Sequence, residues 1–216
     1  MVRNRTRGFS LLEMSIVLAI GLVLAAVSIL CLQPAIRDAR TNAGYDTVLM
    51  QMRNARERAI ENREQFIVCF GIAPPAGALT PLGAPDAQSV QLFQWPAGTA
   101  ISSAIQLTSI ELPFDIQFQA QAGIPTSPSA TPDGFGTGNI ALDFDIGVAG
   151  AIPNQVAFMP DGSARDINGN FNNGVLYIGR TGDIYSTRAV SVFGASGRIR
   201  GWRLVSNLAT PTWIQQ

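Results

Sequence analysis

The sequence predicts an α+β protein, with a long N-terminal transmembrane helix packed on an antiparallel β-sheet head. Three patterns predict it. Residues 9–32 form an apolar run whose only charge is Glu13. Tyr45, Val48, Leu49, Met52, Ala55, Ala59 and Ile60 then recur at three- and four-residue spacing, the stripe of a helix with one covered side. Beyond Arg63 the apolar residues alternate with polar ones, as in strands with one buried face. The expected organisation is a leader over residues 1–8, a helix over 9–63 that spans a membrane over 9–32, and a β-rich head over 64–216.

The leader, MVRNRTRG, places Arg3, Arg5 and Arg7 ahead of an aromatic, Phe9. A helix needs about 20 apolar residues to cross a bilayer, and the run supplies them. Arginines before it hold the N-terminus in the cytoplasm, so the rest of the chain is exported. Glu13 is the odd residue, since an acid at the centre of a membrane helix costs roughly 2.5–3.5 kcal/mol. Such a residue calls for a partner. The residues alone also fit an ordinary signal anchor, or a secretory signal cut near Ala25 and Ala26. A lipoprotein signal would need a small residue where Leu30 stands, before Cys31.

The helix continues past the apolar run. Arg53, Arg56, Glu57 and Glu61 fall largely off its stripe and read as a solvated face. Arg53 and Glu57 form an i, i+4 pair worth a few tenths of a kcal/mol at most. Pro34 and Gly44 are expected to bend or interrupt the helix. At 1.5 Å per residue the full helix would measure roughly 80 Å.

In the head, Phe114, Ile116 and Phe118 alternate with polar residues, and so do Ile140, Leu142, Phe144 and Ile146. Shorter strands are expected at 65–70, 89–94, 105–110, 155–159, 174–178, 189–193 and 198–205. Segments 72–86 and 122–138, rich in Pro, Gly and Ala, read as long loops with no core of their own.

Composition argues against catalysis. The 216 residues include no histidine, and every basic side chain is an arginine. Histidine triads, histidine proton shuttles and histidine metal sites are excluded, and neither a cofactor nor a metal is expected. Cys31 lies in the apolar run and Cys69 in an expected strand, so no disulfide between them is expected. Formal net charge is zero, yet its distribution is uneven. No arginine lies between Arg63 and Arg165, whereas six lie from Arg165 onward. Asp166, Asn168, Asn170 and Asn172 alternate like the start of a calcium loop. Phe171 and Tyr177 stand where such a loop needs glycine and a carboxylate, which favours a polar hairpin loop. Asp143 and Asp145, with no base or nucleophile to match, read as solvent-exposed. Trp95, Trp202 and Trp213 read as packing residues.

Gly8, Phe9, Glu13 and the apolar run resemble the class III signal of type IV pilins and type II secretion pseudopilins. The resemblance implies cleavage after Gly8 by a prepilin peptidase, methylation of the new N-terminus at Phe9, and an assembly role for Glu13. It places the chain in the inner membrane, single-pass, with the head in the periplasm and other pilins or pseudopilins as partners. Two opposite charges, Glu13 and a neighbour's ammonium, can neutralise one another where neither is well solvated. Residues 53–69, RNARERAIENREQFIVC, resemble the helix-to-strand junction of the GspH/FimT group of minor pseudopilins and minor pilins. VAFMPDGSA at 156–164 resembles that group's strand–turn–strand, and GNFNNGVLYIG and AVSVFGASGRIR resemble its final strands. The long segments 72–86 and 125–138 match no part of that pattern, and family helices often carry their proline nearer the N-terminus than Pro34.

The resemblance implies a structural subunit of a type II secretion pseudopilus or a type IV pilus. An alternative comes from Gly197-Arg198-Ile199-Arg200, which resembles the GRxR motif of FimT-type DNA-binding pilins. Arg198 and Arg200 would then contact DNA during uptake, within a basic region that also holds Arg180, Arg188 and Arg203. Without its apolar stem the head is expected to be soluble, mainly β and monomeric.

Overall fold

The structure is a computed structural model, and it describes residues 10–71, 88–127, 129–145, 154–207 and 210–216. The leader with Gly8, the residue Phe9 and the segment 72–86 lie outside the described residues. The chain divides into two compact units, Met1–Ala39 and Arg40–Gln216.

One helix, α1 (Leu11–Asn62), runs through both. It is uninterrupted at Pro34 and at Gly44, so of the expected bend or interruption no interruption occurs. Proline removes a single backbone donor, and helix formers on both sides carry the remaining ladder past it. Gly44 is explained by packing: a Cβ there would stand 3.0 Å from Ile116 Cγ2.

The second unit is α+β. Its first sheet has the order β3-β2-β1-β6-β7, made by β1 (Gln65–Phe70), β2 (Ser89–Trp95), β3 (Ile105–Glu111), β6 (Gln155–Phe158) and β7 (Ala164–Arg165). The second has the order β11-β10-β9-β8-β4. It is made by β4 (Gln117–Phe118), β8 (Gly174–Gly179), β9 (Arg188–Phe193), β10 (Arg198–Asn207) and β11 (Thr210–Gln215), with β5 (Leu142–Phe144) also on β8. All pairings are antiparallel.

The period-two reading explains the core. In β1, Phe66, Val68 and Phe70 join one apolar cluster while Ile67 and Cys69 join another, because successive side chains point to opposite faces. The first cluster also takes the helix stripe Tyr45, Val48, Leu49, Met52, Ala55 and Ala59, together with residues of the second sheet such as Leu176 and Val190. Phe70 stacks on Phe144 at 6.1 Å and meets the edge of Phe118 at 5.6 Å.

Four expectations change. Ile60 is 45% exposed, so the stripe ends at Ala59. Only Gln117 and Phe118 of the 114–118 alternation pair as strand. Phe114 is 74% exposed, because a turn closed from Ile116 N–H to the Pro113 carbonyl takes it off the strand path. The strand expected over 140–146 shortens to Leu142–Phe144; Ile140 is exposed and Ile146 lies outside the described residues. Segment 122–138 is no loose loop, since Ile124, Thr131 and Pro132 are buried, and Ile124 packs with Tyr177, Ala189, Leu204 and Trp213.

Candidate functional site

The first candidate site is the start of α1. Glu13 lies in its first turn, where a carboxylate opposes the positive end of the helix dipole. Every residue from 10 to 39 is exposed, and α1 is long and apolar enough to cross a membrane. Two serines of this stretch bond back to the helix backbone. Ser15 Oγ donates to the Leu12 carbonyl at 2.8 Å, and Ser28 Oγ donates to the Leu24 carbonyl at 2.8 Å. Glu13 has no such route, because an ionised carboxylate only accepts and helix carbonyls also only accept.

The second candidate site is the arginine-rich end of the chain. Arg198, Arg200 and Trp202 occupy alternate positions of β10, opposite Phe193, Ser191 and Ala189 of β9. Arg200 is committed within the fold. Its Nη1 donates to Asp133 Oδ1 at 2.6 Å, and Ser191 Oγ donates to Asp133 Oδ2 at 2.6 Å. Trp202 Nε1 donates to Ser191 Oγ at 2.9 Å. This network pins segment 122–138 to the sheet, and it holds Asp133 in a left-handed conformation at φ 53°.

Three more arginines of this region are occupied within the fold. Arg188 is buried; its Nη1 donates to the carbonyls of Tyr185, Ser186 and Thr187, and its Nη2 donates to Asn42 Oδ1 at 3.1 Å. Arg180 pairs with Asp183, and Arg165 with Asp161 at 3.0 Å. Arg198 lies 5.7 Å from the centre of the Phe193 ring, and Arg203 is exposed on the opposite face of β10. The sequence therefore overstates the basic surface, since pairing across 67 residues of chain, as between Asp133 and Arg200, leaves no local pattern.

Positive charge also gathers between α1 and β10. Arg53, Arg56 and Arg198 line an open cleft of about 570 Å³ between α1 and β10, with Glu57 as its one carboxylate. Arg56 is fixed there by donating to the carbonyls of Gly162 at 3.2 Å and Ser196 at 3.1 Å. Helical spacing marked Arg53 and Arg56 as exposed, but only the fold brings them beside Arg198. Gly197 serves the same close approach. It sits at φ 58°, and a Cβ would overlap the Gly162 carbonyl oxygen.

The remaining candidates resolve into structure. Asp166 is buried; its Oδ1 accepts the N–H groups of Asn168 and Asn170, and its Oδ2 accepts Asn170 Nδ2. That is a polar hairpin loop closed on its own aspartate. Asp143 Oδ2 accepts the N–H and hydroxyl of Thr137. Among the described residues, no group of three or more His, Cys, Asp or Glu could hold a metal ion. Trp213 packs on Tyr177 at 5.6 Å, and Trp95 Nε1 donates to the Thr99 carbonyl at 3.0 Å. Burial raises the Tyr177 hydroxyl and the Cys69 thiol well above their ordinary values, so both stay neutral. Burial, and then the nearby Asp46, also raises Tyr45.

Residues 3–29 match the family model of the prokaryotic N-terminal methylation motif. The match contains Gly8, Phe9 and Glu13. No curated protein matches the chain. Among solved structures it is similar to the minor pseudopilin EpsH from the type 2 secretion system of Vibrio cholerae. The identity is 13%, the TM-score 0.44, and the match covers 76% of this chain and 97% of that one. It is also similar to the type IV minor pilin FimU of Pseudomonas aeruginosa strain PAO1 in two crystal forms. One gives 11% identity and TM-score 0.40, covering 74% of this chain and 90% of that one. The other gives 12% and 0.37, covering 78% and 89%. Likeness of this degree assigns neither function nor partner.

Proposed function

We propose that the chain is a structural subunit of a fibre, a minor pseudopilin or minor pilin of the GspH/FimT kind. A prepilin peptidase cuts after Gly8, and the new N-terminus at Phe9 is methylated. Residues 9–32 hold the protein in the inner membrane in a single pass, with the head in the periplasm. On entry to the fibre, Glu13 pairs with the N-terminal ammonium of a neighbouring subunit. The observation that carries this reading is the methylation motif over residues 3–29, continued by a helix exposed on every side to residue 39. A helix apolar all round needs surroundings from outside the chain, and lipid or neighbouring stems supply them.

DNA contact through Arg198 and Arg200 has less support, because Arg200 is committed to Asp133. What favours it is the cleft where Arg198 meets Arg53 and Arg56.

Intact-mass analysis of membrane-extracted protein tests the main reading. The expected species begins at methylated Phe9. A chain that retains Met1, starts after Ala26, or carries an acyl group on Cys31 would overturn it.

A further inference from the structure

Three guanidinium groups from two elements meet in the cleft between α1 and β10. Arg53 and Arg56, three residues apart, share one side of α1, and Arg198 is the first residue of β10. The fold holds them together. Arg56 is half-buried and donates to the carbonyls of Gly162 and Ser196, and Gly197 lacks the Cβ that would stand 3.0 Å from Arg56 Nε. Those carbonyls are neutral, so they orient the guanidinium without cancelling its charge. The same holds for Arg198 at the Phe193 ring. Among the described residues, no salt bridge joins Arg53, Arg56 or Arg198 to a carboxylate. Glu57 lines the same cleft without closing one. Three arginines less one glutamate leave an excess of two positive charges there.

Size and extent decide which anion fits. A cleft of about 570 Å³ lies in the range of ligand sites and holds far more than one phosphate group. A nucleic-acid strand needs cations in a row along its path. Here the row stops. Along β10, Arg200 is paired with Asp133, and Arg203 lies on the opposite face. Along α1, exposed Glu61 follows Glu57 by one turn, and exposed Asp161 adjoins Gly162. The positive charge is a bounded spot with carboxylates around it. Ile199, which packs on the core, adds an apolar wall.

We propose that this cleft binds an acidic peptide segment of a partner protein, with two of its carboxylates on Arg53, Arg56 and Arg198 and its side-chain methylenes against Ile199. Two carboxylates cancel the excess charge of the cleft. Each finds in a guanidinium a planar pair of donors that matches its own two oxygens. The inference gives the cleft a different ligand from the DNA of the second reading. It does not depend on the membrane or fibre reading, which the mass of the processed chain tests separately.

The test titrates the full chain, in neutral detergent at low ionic strength, with the capped peptide Gly-Glu-Gly-Glu-Gly, followed by nuclear magnetic resonance. The guanidinium signals of Arg53, Arg56 and Arg198 should shift, and binding should weaken as salt is added. The double variant Arg53→Gln/Arg198→Gln should bind about tenfold more weakly, on the order of two exposed ion pairs. Arg203→Gln should stay within about twofold of the wild type. Glu57→Gln should bind about threefold more tightly, because the opposing carboxylate is gone. Arg53, Glu57, Arg198 and Arg203 are exposed, so circular dichroism should show every variant folded. Absence of binding, unchanged binding by the double variant, or an equal loss in Arg203→Gln overturns the inference. So does tighter binding of inorganic phosphate or of a hexathymidine oligonucleotide, which would make the cleft a phosphate site.

Discussion

The two parts of α1 have different surfaces. Residues 11–39 are exposed on every side, and between Leu11 and Leu32 their side chains are almost all apolar. From Thr41 to Ala59 the same helix buries eight residues along one stripe, including Gly44, Tyr45, Val48 and Met52, and leaves charged residues such as Arg53 and Glu57 outside. Backbone geometry is the same in both parts, so the difference lies in what covers the side chains. The later part is covered by the chain's own sheets. The earlier part is covered by no other part of the described chain. Substitutions in the two parts should therefore be read out in different assays.

The first expected effect is on Glu13 and on assembly. In Glu13→Ala the stem should insert at least as readily, since the acid is costly in hydrocarbon. The head should fold as before, because Glu13 lies outside the unit Arg40–Gln216. Entry into fibres should fall at least about tenfold, on the order of one charge pair in a poorly solvated site. Quantifying subunits in sheared fibres against the membrane pool checks this. Unchanged incorporation would make the carboxylate dispensable.

A second effect separates the two parts by stability. Met52 is fully buried, and Met52→Ala should destabilise the head by about 2–5 kcal/mol. Leu22→Ala, a comparable truncation on the exposed stem, should change head stability by less than about 0.5 kcal/mol. Urea denaturation of the full chain, followed by tryptophan fluorescence, reports the head, since Trp95, Trp202 and Trp213 all lie there. Equal losses would mean that the stem supports the head after all.

The same contrast explains what the sequence revealed. Helix stripe and strand alternation are local patterns, so α1 and most strands were legible, with β1 found residue for residue. β11 was missed because Pro211 counts against a strand, although an edge tolerates it. Segment 122–138 looked coreless because its anchors are distant, Asp133 on Arg200 and Ile124 among residues from 175 to 213. At the sites, the N-terminal motif is contiguous and could be read directly. The arginine face could not, because burial of Arg188 and pairing of Arg200 depend on tertiary contacts.

The smallest effect concerns two glycines of one helix. Alanine at Gly21 or Gly44 should gain about 1 kcal/mol of helix propensity at either position. At Gly21 nothing lies within 4 Å of the new Cβ, so the head should be unaffected. At Gly44 the Cβ would stand 3.0 Å from Ile116 Cγ2 and 3.5 Å from Pro113 Cδ. Ile116 is fully buried and has little room to retreat, and overpacking of this kind costs about 1–3 kcal/mol. The strain should outweigh the propensity gain by about 1 kcal/mol, which lowers Tm by about 2–4 °C in a unit of this size. Thermal unfolding of Gly44→Ala beside Gly21→Ala measures the difference. A Tm that rises in Gly44→Ala would show that Ile116 yields, and that close packing does not require the glycine.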